Sequence, residues 1–282
     1  MQRRDRRSFD QFRDISIVYE GLDRVDGSAR FGFGQTQSLV SVSGPIEVRP
    51  LSELPSQATL DITVRPLASV PGTDSKAVAS TLKSILSPTL LLSHNPRSLI
   101  QIVGQALCGN ESGSGTGSSG RGWNASLVAS LINATSAALI NAGSIPMKGV
   151  VCAVAVGRIS GVGKTTQLIL DPSEAELSEL SGSGSFAFFF SSTLGSSGSK
   201  TGSDIPSCSL IWTNYSSLGS TSFDESELSG AQQLAEKGAV DIWKQLKQSV
   251  GSMGKRTPPT KRVDEVVVGA EDSEPEEEKM EI

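Results

Sequence analysis

Between Gly21 and Pro66 apolar and polar residues alternate in three runs, one ending at Phe31, one spanning residues 36–50 and one spanning 58–66. Alternation with period two puts every second side chain on one face, so these runs predict antiparallel strands packed on a core by that face. Asp26-Gly27 is a turn signal, and Gly44-Pro45 divides two strand segments. The opening is therefore expected to be a β-meander. A helical period then takes over. Val78, Leu82, Ile85 and Leu86 mark the apolar face of a helix over residues 73–93, with Thr73 or Asp74 as its cap and Pro88 as a kink before Leu90-Leu91-Leu92. Residues 98–107 read as a strand. Residues 125–141 are apolar nearly all round, end at Gly143, and predict a helix covered on several sides. Residues 149–157 and 165–170 predict a hairpin. A strand at 186–190 is expected between Gly/Ser loops at 181–185 and 195–203, followed by a short strand at 209–213. Asp224 or Ser226 then caps a last helix bearing Leu228, Leu234, Ile242, Trp243, Leu246 and Val250.

Four strands, a helix, a strand, a buried helix, further strands and a last helix fit an α+β sandwich better than an alternating parallel fold. With 282 residues and 37% hydrophobic content the chain can bury a full core. One domain is expected over residues 14–250. It carries flexible Gly/Ser insertions, the longest at 109–122, and a disordered acidic tail follows at 251–282. The net charge of −5 hides an asymmetry, since Glu271, Asp272, Glu274, Glu276, Glu277, Glu278 and Glu281 crowd the end and leave the body near neutral. Charge alone neither announces nor excludes nucleic acid. No apolar run long enough for a bilayer and no signal-peptide core are read, so a soluble, intracellular protein is expected. Cys108, Cys152 and Cys208 are odd in number and far apart, which argues against a disulfide framework and a zinc site.

The order Asp26-Gly27-Ser28, strand, Gly44-Pro45-Ile46-Glu47-Val48-Arg49-Pro50, strand, Val64-Arg65-Pro66 resembles the ribonuclease PH family. Asn133-Ala134 and the run from Asn141-Ala142-Gly143 to Pro146-Met147-Lys148 extend the resemblance, which covers roughly residues 14–250. It is nearest to the non-catalytic members that build the ring of the eukaryotic RNA exosome, those of the forty-six type. The resemblance implies a ribonuclease PH-like fold and a part in RNA processing and degradation without a cofactor. The implied partners are same-fold ring subunits, RNA-binding cap subunits and single-stranded RNA in a central channel. Nuclear, nucleolar and cytoplasmic residence is implied as well.

Phosphorolysis, the family's chemistry, needs cationic and amide donors for inorganic phosphate and carboxylates near the scissile phosphodiester. By the resemblance, the phosphate loop falls at Trp123-Asn124-Ala125-Ser126-Leu127. Ser126 takes the threonine position and Leu127 stands where the family has arginine. The preceding helix offers only Lys76 and Lys83 as phosphate cations, and Lys is a point charge rather than a fork. Asp171, Glu174, Glu176 and Glu179 precede a Ser/Gly run where the later aspartates belong, and the three glutamates read as a solvated acidic turn. No catalytic residue and no metal ligand is therefore assigned. The alternative is an active phosphate-dependent 3′→5′ exoribonuclease using Ser126, Lys83 and Asp171 or Glu174. Arg49, Arg97 and Lys83 are the expected RNA-facing cations, holding backbone without reading sequence.

Three further patterns carry less. Residues 160–166 imitate a phosphate-binding loop around Lys164, but the first glycine is misplaced and a β pattern follows, so a hairpin turn is expected. His94, the one histidine, reads as a surface turn residue. Lys255-Arg256 and Lys261-Arg262 form a two-part basic stretch compatible with nuclear import or with a solvated linker.

Overall fold

The alternating runs at the start of the chain form one sheet. A computed structural model describes residues 3, 5–68, 70–108, 123–160, 166–191, 206–217 and 224–253. Strands β1 (Ile15–Tyr19), β2 (Gly27–Phe33), β3 (Thr36–Glu47), β4 (Thr59–Arg65) and β5 (Ser98–Ala106) lie in the order β1-β2-β3-β5-β4. The first three form an antiparallel meander; the expected runs supply β2 and β3, whereas the run at 58–66, expected to join them antiparallel, is β4. β4 leaves it and runs parallel to β5, from Thr59 beside Leu99 to Arg65 beside Gln105. A parallel neighbour requires a crossover. α1 (Thr73–Leu86) supplies it, burying Val78, Leu82, Ile85 and Leu86 and packing on β4.

Several local expectations change. Asp26-Gly27 is not the hairpin turn: Gly27 opens β2, and the Asp26 carboxylate accepts the Gly44 N–H at 2.7 Å. Gly44-Pro45 lies inside β3, at a shift of register between Ser43 and Ile46. Pro88 does not kink α1. The helix ends at Leu86, because a proline ring and its missing N–H oppose another turn, and its N-cap Gly72 makes no side-chain cap bond.

The second sheet is antiparallel throughout, in the order β7-β6-β8-β9, from β6 (Val150–Ser160), β7 (Thr166–Leu170), β8 (Leu180–Ser191) and β9 (Ser207–Ser217). β6 and β7 pair as the predicted hairpin. The Gly/Ser run 181–185, expected as a loop, is the first half of β8. A Cβ on Gly184 would stand 2.5 Å from the Tyr215 Cα of β9, so the bare backbone lets the two strands meet. The expected loops at 109–122 and 195–203, Lys164 with its turn, and residues 254–282 lie outside the described residues.

α2 (Ala125–Ala142) packs against β2 and β3 of one sheet and β6 and β8 of the other. Its 18 residues match a bilayer span in length and composition, yet 72% of them are buried inside the fold, as in a core helix. Its few polar side chains have a task. β7 leaves the lower part of β6 unpaired along one edge, and there Asn133 exchanges two hydrogen bonds with the Ala153 backbone (2.7 and 2.8 Å) while Ser136 donates to the Val151 carbonyl. Gly143 closes the helix at φ +64°, as its position predicted. α3 (Glu225–Met253) covers β6, β7 and β8 through Ala231, Ala235, Ala239, Ile242 and Leu246, and Trp243 stacks on Phe190. Val250, expected on that face, is exposed.

Candidate functional site

α2 begins where the resemblance places a phosphate loop. Asn124 caps it, its side-chain oxygen accepting the Ser126 N–H at 3.2 Å. Ser126 is fully buried, and its hydroxyl donates to the Pro172 carbonyl at 3.2 Å. Leu127 is fully buried too, in a small cluster with Ala106 and Cys108. The helix start therefore abuts the segment that follows β7, and its side chains are committed to that contact.

That segment carries the two buried carboxylates of the region. Asp171, at φ +46°, is fully buried, and its carboxylate accepts three hydrogen bonds from Arg13: the backbone N–H at 3.1 Å, Nε at 2.8 Å and Nη2 at 2.6 Å. Arg13 Nη1 reaches Thr36 at 2.9 Å. Glu176 lies in a 3₁₀ turn, Glu174–Glu179, in a reciprocal cap with Ser173. Its carboxylate accepts Nε and Nη2 of Arg3, both at 2.9 Å. Arg3 is itself buried and donates to the carbonyls of Leu170 and Asp171 at 3.0 Å. Arg7 stands 3.6 Å from Asp171 and 3.9 Å from Glu176, joining the two pairs. Glu174 and Glu179 are exposed, as a solvated turn requires, whereas Glu176 is 1% exposed. Burial paired with a bidentate guanidinium overrides the surface reading of that glutamate.

These three arginines belong to an N-terminal arm that two aromatic residues pin down. Phe9 joins Ile159, Ile169, Leu177 and Leu180, and its carbonyl accepts the Leu170 N–H at 2.7 Å. Phe12 stacks on Phe33 with ring centres 5.5 Å apart. The sequence reading missed the arm, because its arginines find partners as far as 158 to 173 residues away. Phe9 and Phe12 among Arg3, Arg7 and Arg13 were the one available signal, since an unstructured charged leader has no need of aromatic anchors.

Burial alone would raise the Glu176 carboxyl; hydrogen bonds and charge from Arg3, with help from Ser173, outweigh it and bring the group down to about 2 from an ordinary 4.5. A depressed folded-state value stabilises the fold above the unfolded value and is lost as pH falls through the folded one. The arm should therefore lose stability between about pH 4.5 and 2, with Glu176→Gln flattening that limb of the stability curve. Urea unfolding at a series of pH values checks this; an unchanged acid limb in Glu176→Gln would contradict it.

As geometry, this is a closed knot in which both carboxylates and the Ser126 hydroxyl are spent on internal partners. No group of three or more His, Cys, Asp or Glu with metal-binding geometry occurs among the described residues. The Cys208 thiol, raised by burial and by Glu236 to about 11, is no nucleophile at neutral pH.

Arg49 and Arg97 lie elsewhere, together. The β3–β5 register sets Glu47 opposite Ser98, so Arg49, just after β3, and Arg97, just before β5, sit at the same end of the sheet. Both are exposed. Arg97, at φ +61°, donates its backbone N–H to Leu54 and holds Glu53 at 3.3 Å, which ties its loop to the 3₁₀ turn Pro50–Ser52 that Arg49 precedes. Lys83 is exposed near the end of α1, and no hydrogen bond or ion pair among the described residues joins it to either arginine. Lys76 and His94 are exposed as well.

Comparison with known proteins adds four findings. Residues 11–144 match the model of the 3′ exoribonuclease family, domain 1. The chain is 34% identical to the exosome complex component RRP46 of Saccharomyces cerevisiae over 156 residues, 55% of this chain and 65% of that protein, just under two thirds of its length. It is also 34% identical to the exosome complex exonuclease RRP46 homolog of Oryza sativa subsp. japonica over 178 residues, 63% of this chain and 67% of that one. The crystal structure of rice Rrp46 superposes with a TM-score of 0.67 at 24% identity, covering 88% of this chain and all of the other, which establishes the likeness of fold.

Proposed function

Since this chain belongs to the ribonuclease PH family of 3′ exoribonucleases, we propose that it is a non-catalytic ring subunit of the RNA exosome. It would pair with same-fold subunits under RNA-binding cap subunits and line the channel through which single-stranded RNA passes. Residence in nucleus, nucleolus and cytoplasm belongs to the same reading. The observation that carries it is the closed knot: Asp171 is held by Arg13, Ser126 by Pro172, and Leu127 is buried where a phosphate-binding arginine belongs. In-line attack by phosphate needs donors free to hold it, and these groups are committed to internal partners. The word exonuclease in the rice relative's name favours a second reading, a phosphate-dependent 3′→5′ exoribonuclease using Ser126, Lys83 and Asp171 or Glu174.

In the proposed ring Arg49 and Arg97 hold RNA backbone, with Lys83 as a further cation. Their clustering at one end of the sheet supports this for the two arginines. The test purifies the tagged chain from its native cells, with wild-type residues or with Arg49→Glu and Arg97→Glu together, and footprints single-stranded RNA on the product. Copurifying same-fold and cap subunits are expected in both. The double variant should protect RNA several-fold less at matched salt, to a similar degree for different sequences, because backbone contacts do not read bases. A homohexamer would overturn the ring reading, and full protection by an intact variant ring would overturn the arginine assignment.

A further inference from the structure

We propose that Ser8 is a phosphorylation site for an arginine-directed protein kinase, and that its phosphate releases the N-terminal arm from Asp171 and Glu176. The acceptor is accessible. Ser8 is exposed, lies in a stretch of the arm without regular structure, and its hydroxyl makes no hydrogen bond among the described residues. Arginines stand one, two, four and five residues before it (Arg7, Arg6, Arg4 and Arg3), and Phe9 follows. A kinase whose acidic cleft reads guanidinium groups ahead of the hydroxyl finds them here in density. In the transfer the γ-phosphoryl group of ATP moves to Ser8 Oγ, its bond to ADP breaks, and the hydroxyl proton passes to the kinase's base.

Charged contacts hold the arm together with the Phe9 and Phe12 anchors, and the charged contacts are the part that a phosphate opposes. Arg3 Nη1, which reaches the Leu170 carbonyl at 3.0 Å, also lies 3.3 Å from the Ser8 carbonyl, so a phosphate on Ser8 enters the surroundings of the guanidinium that grips Glu176. It adds a charge of about −1.5 to −2 with three strong acceptors. Ser8 opens onto a groove of about 960 Å³ between the arm and α3, where Arg7, Arg13 and Lys244 face Asp10, Asp14 and Asp241. Arg13 is committed to Asp171, and Lys244 to Asp241 at 3.2 Å. The new anion competes with the buried carboxylates for Arg3 and Arg7 and adds like charge beside Asp10 and Asp14, with exposed Arg6 as the remaining cation that can balance it from the surface. Competition and like charge both weaken the arm's hold. A kinase also takes its substrate as an open segment, so modification captures the arm undocked and the added charge opposes its return.

Two amides report docking directly: that of Leu170, donated to the Phe9 carbonyl, and that of Arg13, donated to the Asp171 carboxylate. The Ala153 amide, donated to Asn133 inside the fold, is the control. The full chain is incubated with Mg-ATP and the purified catalytic subunit of an arginine-directed kinase, the site is mapped by mass spectrometry, and hydrogen exchange is followed. One phosphate on Ser8, absent in Ser8→Ala, is expected, with exchange at Leu170 and Arg13 faster by tenfold or more and Ala153 unchanged. No incorporation, incorporation at another residue, or a phosphorylated chain whose Leu170 and Arg13 amides remain as protected as before would each overturn the proposal.

Discussion

Arg13→Ala should destabilise the fold by about 3 kcal/mol, the range for removing one partner of a buried pair. Asp171 is fully buried and receives its two shortest hydrogen bonds from the Arg13 guanidinium, so truncation strands a carboxylate away from water. Arg7 at 3.6 Å and the residue 13 backbone N–H at 3.1 Å compensate only in part. Arg13→Lys should recover a fraction, because an ammonium cannot reproduce the two-pronged contact. Removing both charges with Arg13→Met and Asp171→Asn, where Asn tolerates the positive φ and still accepts the residue 13 N–H, should cost less than Arg13→Ala alone. Urea titrations of the four chains decide it. If Arg13→Ala unfolds at the wild-type midpoint, the knot contributes nothing to the fold.

Gly27→Val should yield almost no soluble protein. A Cβ at Gly27 would fall inside the Ala142 amide nitrogen and the Ala138 carbonyl of α2, and 2.7 Å from the Ala142 Cα. These are backbone atoms of the central helix, so no side-chain rotation relieves the clash. β2 and α2 would have to separate, opening the core that Ala29, Phe31 and Ala138 share. Overpacking ordinarily costs about 1–3 kcal/mol, and Gly27→Ala should lie at or above the top of that range because helix and strand must move together. Soluble yield and urea midpoints are the readouts. A soluble Gly27→Ala with an unchanged midpoint would show that the helix gives way easily.

Gly27 also illustrates what the sequence could and could not convey. Asp26-Gly27 was correctly seen as special, for the wrong physical reason. It is a helix-to-strand approach and a carboxylate bond to Gly44, neither of which a local turn rule represents. The same holds for 181–185, where glycine stood for close strand contact and local composition suggested a loop. Elements defined by periodicity were legible: α2 with its Gly143 cap, β5, the β6–β7 hairpin and most of the apolar face of α3. The parallel β4–β5 pairing was not, since alternation carries no strand direction. At the candidate site, Ser126 and Leu127 could be named from the family resemblance, which places a phosphate loop at the head of α2. The arginines that close the site could not, because a guanidinium finds its carboxylate through the folded chain.

The central claim is that this family member has no phosphorolytic activity of its own. The purified chain, and the ring purified from its native cells, are incubated with 3′-tailed single-stranded RNA, inorganic phosphate and Mg²⁺, and nucleoside diphosphates are counted. The account predicts none above background from the chain, and no change in the ring's output when this subunit carries Ser126→Ala or Lys83→Ala. Phosphate-dependent release of nucleoside diphosphates that disappears in either variant, with the variant still folded, would contradict it.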